Sequence, residues 1–282
     1  MPINLYPLRL LFQTFVSGAL IFLLVAGWLH LPLPEKRFRL WIALTGVLQI
    51  FLNNIIVQIC ITPLGSGLSA VLNYTMPLWT ALLAWPFLGE HLTIQKMAGI
   101  LLSIAGLVIL LQVDLQANLL FLPLALSGAF LWAVSNIIYK RKLVDCNPIV
   151  YNTWQMAVGA AVLVVLMIAT QQPVGTFTPL SVGFILYNGI LASALAFFLW
   201  SYVLSHMDAG KASVSILAVP VVGVLCGVVF LDETMTFTKG IGMLMILLGI
   251  LAVLAPAKQK KWLNHFFCGM NDAQRVNGDS CR

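Results

Sequence analysis

Glutamate, proline, lysine and glycine recur in this chain at one fixed interval. Pro77 leads into Phe87-Leu88-Gly89-Glu90-His91-Leu92-Thr93, followed by Lys96, Gly99 and Gly106. The pattern returns 143 residues on, as Pro220, Phe230-Leu231-Asp232-Glu233-Thr234-Met235-Thr236, Lys239, Gly242 and Gly249. The same interval pairs Gly46 with Gly189 and Gly67 with Gly210. Self-similarity over such a distance marks a duplicated unit. Two chemistries are open to its carboxylates. Glu90 and Glu233 invite a proton-carrying role, but each stands just before a threonine (Thr93, Thr236) suited to cap a helix. A carboxylate near a helix N-terminus is favoured by plain electrostatics, so the expectation is a hinge or cap at both positions.

The prolines offer a different chemistry. Each falls near the middle of an apolar run, where it removes a donor and frees the carbonyl four residues earlier, on Asn73 and Ile216. In hydrocarbon a freed carbonyl needs a partner, so such breaks survive beside protein or a water-filled cavity. Polar neighbours surround both prolines: Asn73, Tyr74 and Thr75 in the first copy, Ser213 and Ser215 in the second. Amides and hydroxyls also sit inside other runs, at Asn53, Asn54, Ser135, Asn136, Gln155, Tyr187 and Asn188, and should face the interior. The residues expected to contact a solute are Asn53, Asn73, Tyr74, Pro77, Asn136, Trp200, Ser213, Ser215 and Pro220. Kinks that only shape the bundle are the competing reading of the same prolines. Trp79, Trp132, Phe197, Trp200 and Tyr202 are the aromatics available to wall a cavity.

No catalytic constellation emerges. The four histidines (His30, His91, His206, His265) lie at the ends of apolar runs or outside them, the five cysteines form no C-x-x-C pair, and H-E-x-x-H is absent. No metal, cofactor or nucleic acid is expected.

The elements that must position these residues are membrane helices. Only 9% of the 282 residues are charged and 61% are hydrophobic, far from the roughly 25% charged content of a soluble domain. Apolar runs with turn clusters between them predict nine spans, at 8–29, 39–60, 66–88, 97–112, 119–139, 149–170, 181–203, 211–231 and 239–256. The spans at 8–29, 39–60, 66–88 and 97–112 correspond to those at 149–170, 181–203, 211–231 and 239–256. Corresponding members stand five places apart in the order of spans, an odd step, so the copies enter from opposite sides, as in an inverted repeat. The span at 119–139 has no counterpart in the first copy. Lysines and arginines divide thirteen to two between the two sides of this arrangement, which places the C-terminus in the cytoplasm. The expected division is a first repeat at 1–113, a second at 114–257 and a cytoplasmic basic tail at 258–282.

With these residues in view the chain resembles the EamA-type branch of the drug/metabolite transporter superfamily. The resemblance covers nearly the whole chain and is carried by the two segments from Pro77 to Gly106 and from Pro220 to Gly249. It implies a ten-helix inverted-repeat bundle, here without the first helix, with a solute vestibule between the repeats. It also implies an inner-membrane carrier that exports or exchanges amino-acid-like or amphipathic metabolites by alternating access. Glutamines (Gln13, Gln155) stand about where the family often shows an arginine. The implied partners are a small-molecule solute and the lipid bilayer, with a homodimer left open. The rival reading is a non-transporting or partner-dependent membrane remnant; a membrane-embedded enzyme ranks below both.

Overall fold

A computed structural model describes residues 6–112, 119–171, 179–230 and 234–255. Glu233 and the basic tail lie outside the described residues. Helices make up the described chain in this order: α1 (Tyr6–Trp28), α2 (Lys36–Thr45), α3 (Asn54–Asn73), α4 (Met76–Leu88), α5 (Ile94–Leu110), α6 (Leu122–Ile138), α7 (Pro148–Ala169), α8 (Pro179–Tyr187), α9 (Ala196–His206), α10 (Ala209–Ser215), α11 (Ala218–Phe230) and α12 (Phe237–Leu254). Among the described residues six helical stretches are long and apolar enough to cross a bilayer, and two shorter apolar helices, Phe15–Trp28 and Ile94–Leu110, accompany them. Leu24, Val165, Ile168, Phe230 and Leu251 belong to a broad exposed apolar surface of the kind that lipid covers.

Two kinds of irregularity recur at an interval of 142 residues, one short of the sequence interval. The first is π-helical: Gly46–Asn53 joins α2 to α3, and Asn188–Leu195 joins α8 to α9. A π segment shifts the backbone register and leaves carbonyls short of donors. Asn54 answers this by donating its Nδ2 to the carbonyls of Gln49 at 2.9 Å and Ile50 at 3.1 Å. The second is a two-residue interruption. Helix α3 stops at Asn73 and α4 starts at Met76; α10 stops at Ser215 and α11 starts at Ala218. The chain stays near-helical across it, with Tyr74 at φ −73°, ψ 4° and Ile216 at φ −61°, ψ −27°. Pro77 and Pro220 sit in the first turn after this tight kink, where a missing N–H costs little. A third break, at Gly65 with φ +76°, falls where a turn between the expected second and third spans was placed.

The helices next after α4 and α11 are tied to each other. Helices α5 and α12 occupy equivalent places in the duplication and pack antiparallel. Gln95 donates to the Ala252 carbonyl at 2.7 Å, and Ser103 to that of Ile246 at 3.2 Å. Between them the backbones touch: a Cβ on Gly99 would lie 2.7 Å from the Gly249 carbonyl oxygen, and one on Gly106 equally near that of Gly242. Glycine is required there by approach, since any side chain would hold the helices apart.

One end of the bundle closes on a cluster containing Phe38, Ile42, Tyr139, Leu143, Tyr151, Leu204 and Ala209. The basic segments gather at this end, with Lys142 over the Trp41 ring at 5.5 Å and Lys211 paired to Asp208 at 3.1 Å.

Candidate functional site

A cavity of about 610 Å³ opens between the two copies. The break after α3 supplies Ser69, Asn73 and Tyr74, and the break after α10 supplies Ser215 and Ile216. Trp132 comes from α6, and Phe197 and Trp200 come from α9. No charged side chain lines it. Ser69 and Asn73 share a helix face, being four residues apart. Three buried polar atoms on this wall lack any hydrogen-bond partner: the Ser69 hydroxyl, Asn73 Oδ1 and the Trp132 indole N–H. A mostly apolar chamber with a few convergent, unmatched polar groups is what a small-molecule site requires. All three atoms are covered as the chain stands, so a small side-chain rotation must precede any contact with a solute.

The expected contact residues divide. Asn73, Tyr74, Trp200 and Ser215 share the cavity. Ser213 is buried off its wall and donates to the Ala209 carbonyl at 2.7 Å. Pro77 is buried in α4 and Pro220 half-buried in α11, neither on the lining. Asn136 lies behind Trp200, accepting its Nε1–H at 3.2 Å and directing its own amide at the Met76 sulfur at 3.3 Å. Asn53 is buried with its Oδ1 unpaired, packed near Gly128 of α6. Trp132 and Phe197 wall the cavity as their type suggested; Trp79 and Tyr202 do not. Tyr187, expected inside, is 61% exposed, because its position on α8 faces outward. Ser69 was the residue that sequence reasoning missed; its spacing from Asn73 was the available signal.

One side of the cavity is defined by an asymmetry. Ala192, Ala196, Leu199 and Val219 line it, and their counterparts 143 residues earlier are Gln49, Asn53, Ile56 and Met76. Those four are buried in the first copy, with Ile56, Asn53 and Met76 packed against α6. Leu199 is 50% exposed against 9% for Ile56, and Val219 56% against 1% for Met76. The cavity thus extends into the place that α6 fills in the other half.

The expected caps form, though Glu90 serves a helix distant in sequence. Thr93 and Thr236 are N-caps, accepting from the Lys96 and Lys239 amides at 3.2 and 3.3 Å. Glu90, by contrast, caps a helix of the other copy. Gly89, left-handed at φ +70°, ends α4 and turns the chain. The Glu90 carboxylate then accepts the backbone N–H groups of Ala209 and of Gly210, the latter at 3.1 Å. At the same end the Cys146 thiol is pushed up to about 11, by burial first and by the nearby Glu35 carboxylate second, so near neutral pH it stays protonated and unreactive. Among the described residues no three of His, Cys, Asp or Glu come together as metal ligands would.

Known proteins bear on this geometry. The EamA-like transporter family matches residues 2–112 and 119–255. The uncharacterized transporter YoaV of Bacillus subtilis is 30% identical over 190 residues, 66% of this chain and 65% of that protein, so just under two thirds of its length is spanned. An uncharacterized transporter of Archaeoglobus fulgidus is 30% identical over 80% of this chain and 79% of its own. A probable terminal-alkyne amino-acid exporter of Streptantibioticus cattleyicolor is 24% identical over 74% of this chain and 71% of its own. A solved crystal structure superposes with a TM-score of 0.76 at 20% identity, covering 88% of each chain, a likeness of fold.

Proposed function

The chain belongs to the EamA-like transporter family, and from that membership we propose that it is a multi-pass inner-membrane carrier exporting or exchanging small amphipathic metabolites by alternating access. Its spans form an inverted repeat with the basic end and the C-terminus in the cytoplasm. The observation that carries this reading is the uncharged cavity with Ser69, Asn73 and Trp132 unmatched on its wall. A neutral or zwitterionic solute with an apolar body and hydrogen-bonding end suits that wall, and the amino-acid exporter among its relatives supports the same class. Tyr74, Trp200 and Ser215 complete the contacts; Pro77 and Pro220 fix the breaks that present them, and Asn53, Asn136 and Ser213 support from behind.

Untargeted comparison of medium and cell contents, with and without the protein, names the solute; proteoliposomes then measure its affinity. Asn73→Leu removes both hydrogen-bonding groups at similar volume. A lost contact of about 1–3 kcal/mol weakens affinity about tenfold or more. In the empty protein the same change deletes an unmatched buried atom, so stability holds or rises. Pro77→Ala should alter neither strongly, since Pro77 stands in a first turn. Unchanged affinity and rate in well-folded Asn73→Leu protein would remove the cavity from the argument.

The asymmetry of the cavity wall favours a second reading. The groove beside α9 and α11 is shaped like the seat of α6, so a further transmembrane helix docked there would make the chain partner-dependent. Transport by the purified chain alone decides for the first reading; transport only when a further helix is supplied decides for the second.

A further inference from the structure

Behind the cavity lies a second group of polar side chains. Gln49 of the π segment, Asn152 and Gln155 of α7, Tyr139 and Ser201 surround a seam too narrow for a water molecule. Gln49, Asn152 and Gln155 are exposed by only 3%, 0% and 1%. Each amide is half used. Gln49 Oε1 accepts from Ser135 at 3.1 Å and from Gln155 Nε2 at 2.9 Å. Asn152 Nδ2 donates to the Pro148 carbonyl at 2.8 Å and to Ser201 at 2.7 Å. Gln49 Nε2, Asn152 Oδ1 and Gln155 Oε1 have no partner. The Tyr139 hydroxyl lies near Ser201 and Ser205 without hydrogen-bond geometry to either. Flipping an amide exchanges which of its atoms is unmatched without supplying the missing partner.

Unmatched buried groups carry a full desolvation penalty, and three on one seam are out of keeping with a permanently closed core. Their surroundings are adjustable. Trp200 and Phe197 line both the cavity and the seam, and Trp200 is held over the seam by its bond to Asn136. Gln49 rides on a π segment, a form of helix found frequently at functional sites.

We propose that Gln49, Asn152 and Gln155 form an inner station of the solute route, closed here and opened when Trp200 leaves Asn136. The inference rests on the transport reading above. In the open form the three unmatched atoms bind water and then an uncharged donor–acceptor group of the solute, such as an amide or hydroxyl. No charged side chain lines the seam, so ions find no counter-charge there. The station sits toward the basic end, between the cavity and the cluster around Tyr139, Tyr151 and Leu204 that closes it.

The test uses the full chain with its five cysteines replaced and single cysteines introduced as Ser66→Cys, Asn152→Cys or Gln155→Cys. Methyl methanethiosulfonate is the probe; it reacts with a thiolate, which forms where water reaches. Ser66 is exposed on the cavity lining, so Ser66→Cys should label fast. Asn152→Cys and Gln155→Cys should label slowly, and faster by about tenfold when Trp200→Ala removes one hydrogen bond of ordinary strength. Labelled Ser66→Cys with unlabelled seam cysteines in both backgrounds overturns the station and leaves the cavity standing. Unlabelled Ser66→Cys overturns the cavity reading itself. Should the seam variants fail to fold, amide deuterium exchange on the native chain replaces them. Segments 46–53 and 148–156 should exchange well ahead of the α5–α12 crossing; exchange as slow as the crossing overturns the station.

Discussion

Removing the Glu90 carboxylate separates a structural cap from a proton carrier. In Glu90→Ala the Ala209 and Gly210 amides lose their acceptor, at the head of a helix of only 7 residues. Loss of an N-cap costs about 0.5–2 kcal/mol, and the upper end applies when the acceptor is a half-buried carboxylate serving two donors. At about 2–4 °C per kcal/mol for a chain of this size, melting should fall by about 4–8 °C. Glu90→Gln keeps one carbonyl oxygen and should recover about half of that loss, since one of two acceptors remains. Eight tryptophans make intrinsic fluorescence during heating a direct readout in detergent or nanodiscs. A proton carrier predicts the opposite pattern, with unchanged melting and a transport rate in Glu90→Gln that no longer responds to pH. Melting of Glu90→Ala within about 1 °C of the native chain, well below the stated loss, refutes the cap.

Two further outcomes follow from the geometry. Gly106→Ala places a methyl group 2.7 Å from the Gly242 carbonyl oxygen and should destabilise by about 1–3 kcal/mol, whereas Gly183→Ala, with nothing near its added carbon, should not; equal melting of the two variants contradicts the close crossing. A reporter fused after Ala255 should be active only in the cytoplasm, as the gathering of basic residues requires; a periplasmic signal reverses the orientation.

Much of the helical layout was written in hydropathy and punctuation, because a bilayer tolerates long apolar runs with polar ends and little else. Backbone departures inside the runs were harder to read. Pro77 and Pro220 announced trouble, but a proline reads alike whether it kinks a helix or begins one, and only the stop at Asn73 and Ser215 distinguishes them. The π segments carry no residue signature, since their i→i+5 pairing is set by how α2 and α8 pack. Glu90 could be placed at a helix N-terminus from its type, but not at α10, because its partners lie 119 and 120 residues away. Of the polar seam, Gln155 was visible as an amide at membrane depth. Asn152, three residues earlier on α7, and Gln49 became meaningful once three helices had brought them together.

The crossing of α5 and α12 has one property that concerns symmetry. Gly99, Ser103 and Gly106 of one copy meet Gly249, Ile246 and Gly242 of the other, so Ser103 faces its own counterpart and each glycine faces the counterpart of the other. In a pair of identical subunits every change here would strike twice, once on each side. Joined in one chain, the two copies are free to differ. The glycines have stayed the same in both, while at 103 and 246 one copy carries serine and the other isoleucine. A single hydroxyl bonds across to a backbone carbonyl, an arrangement whose two sides are unlike.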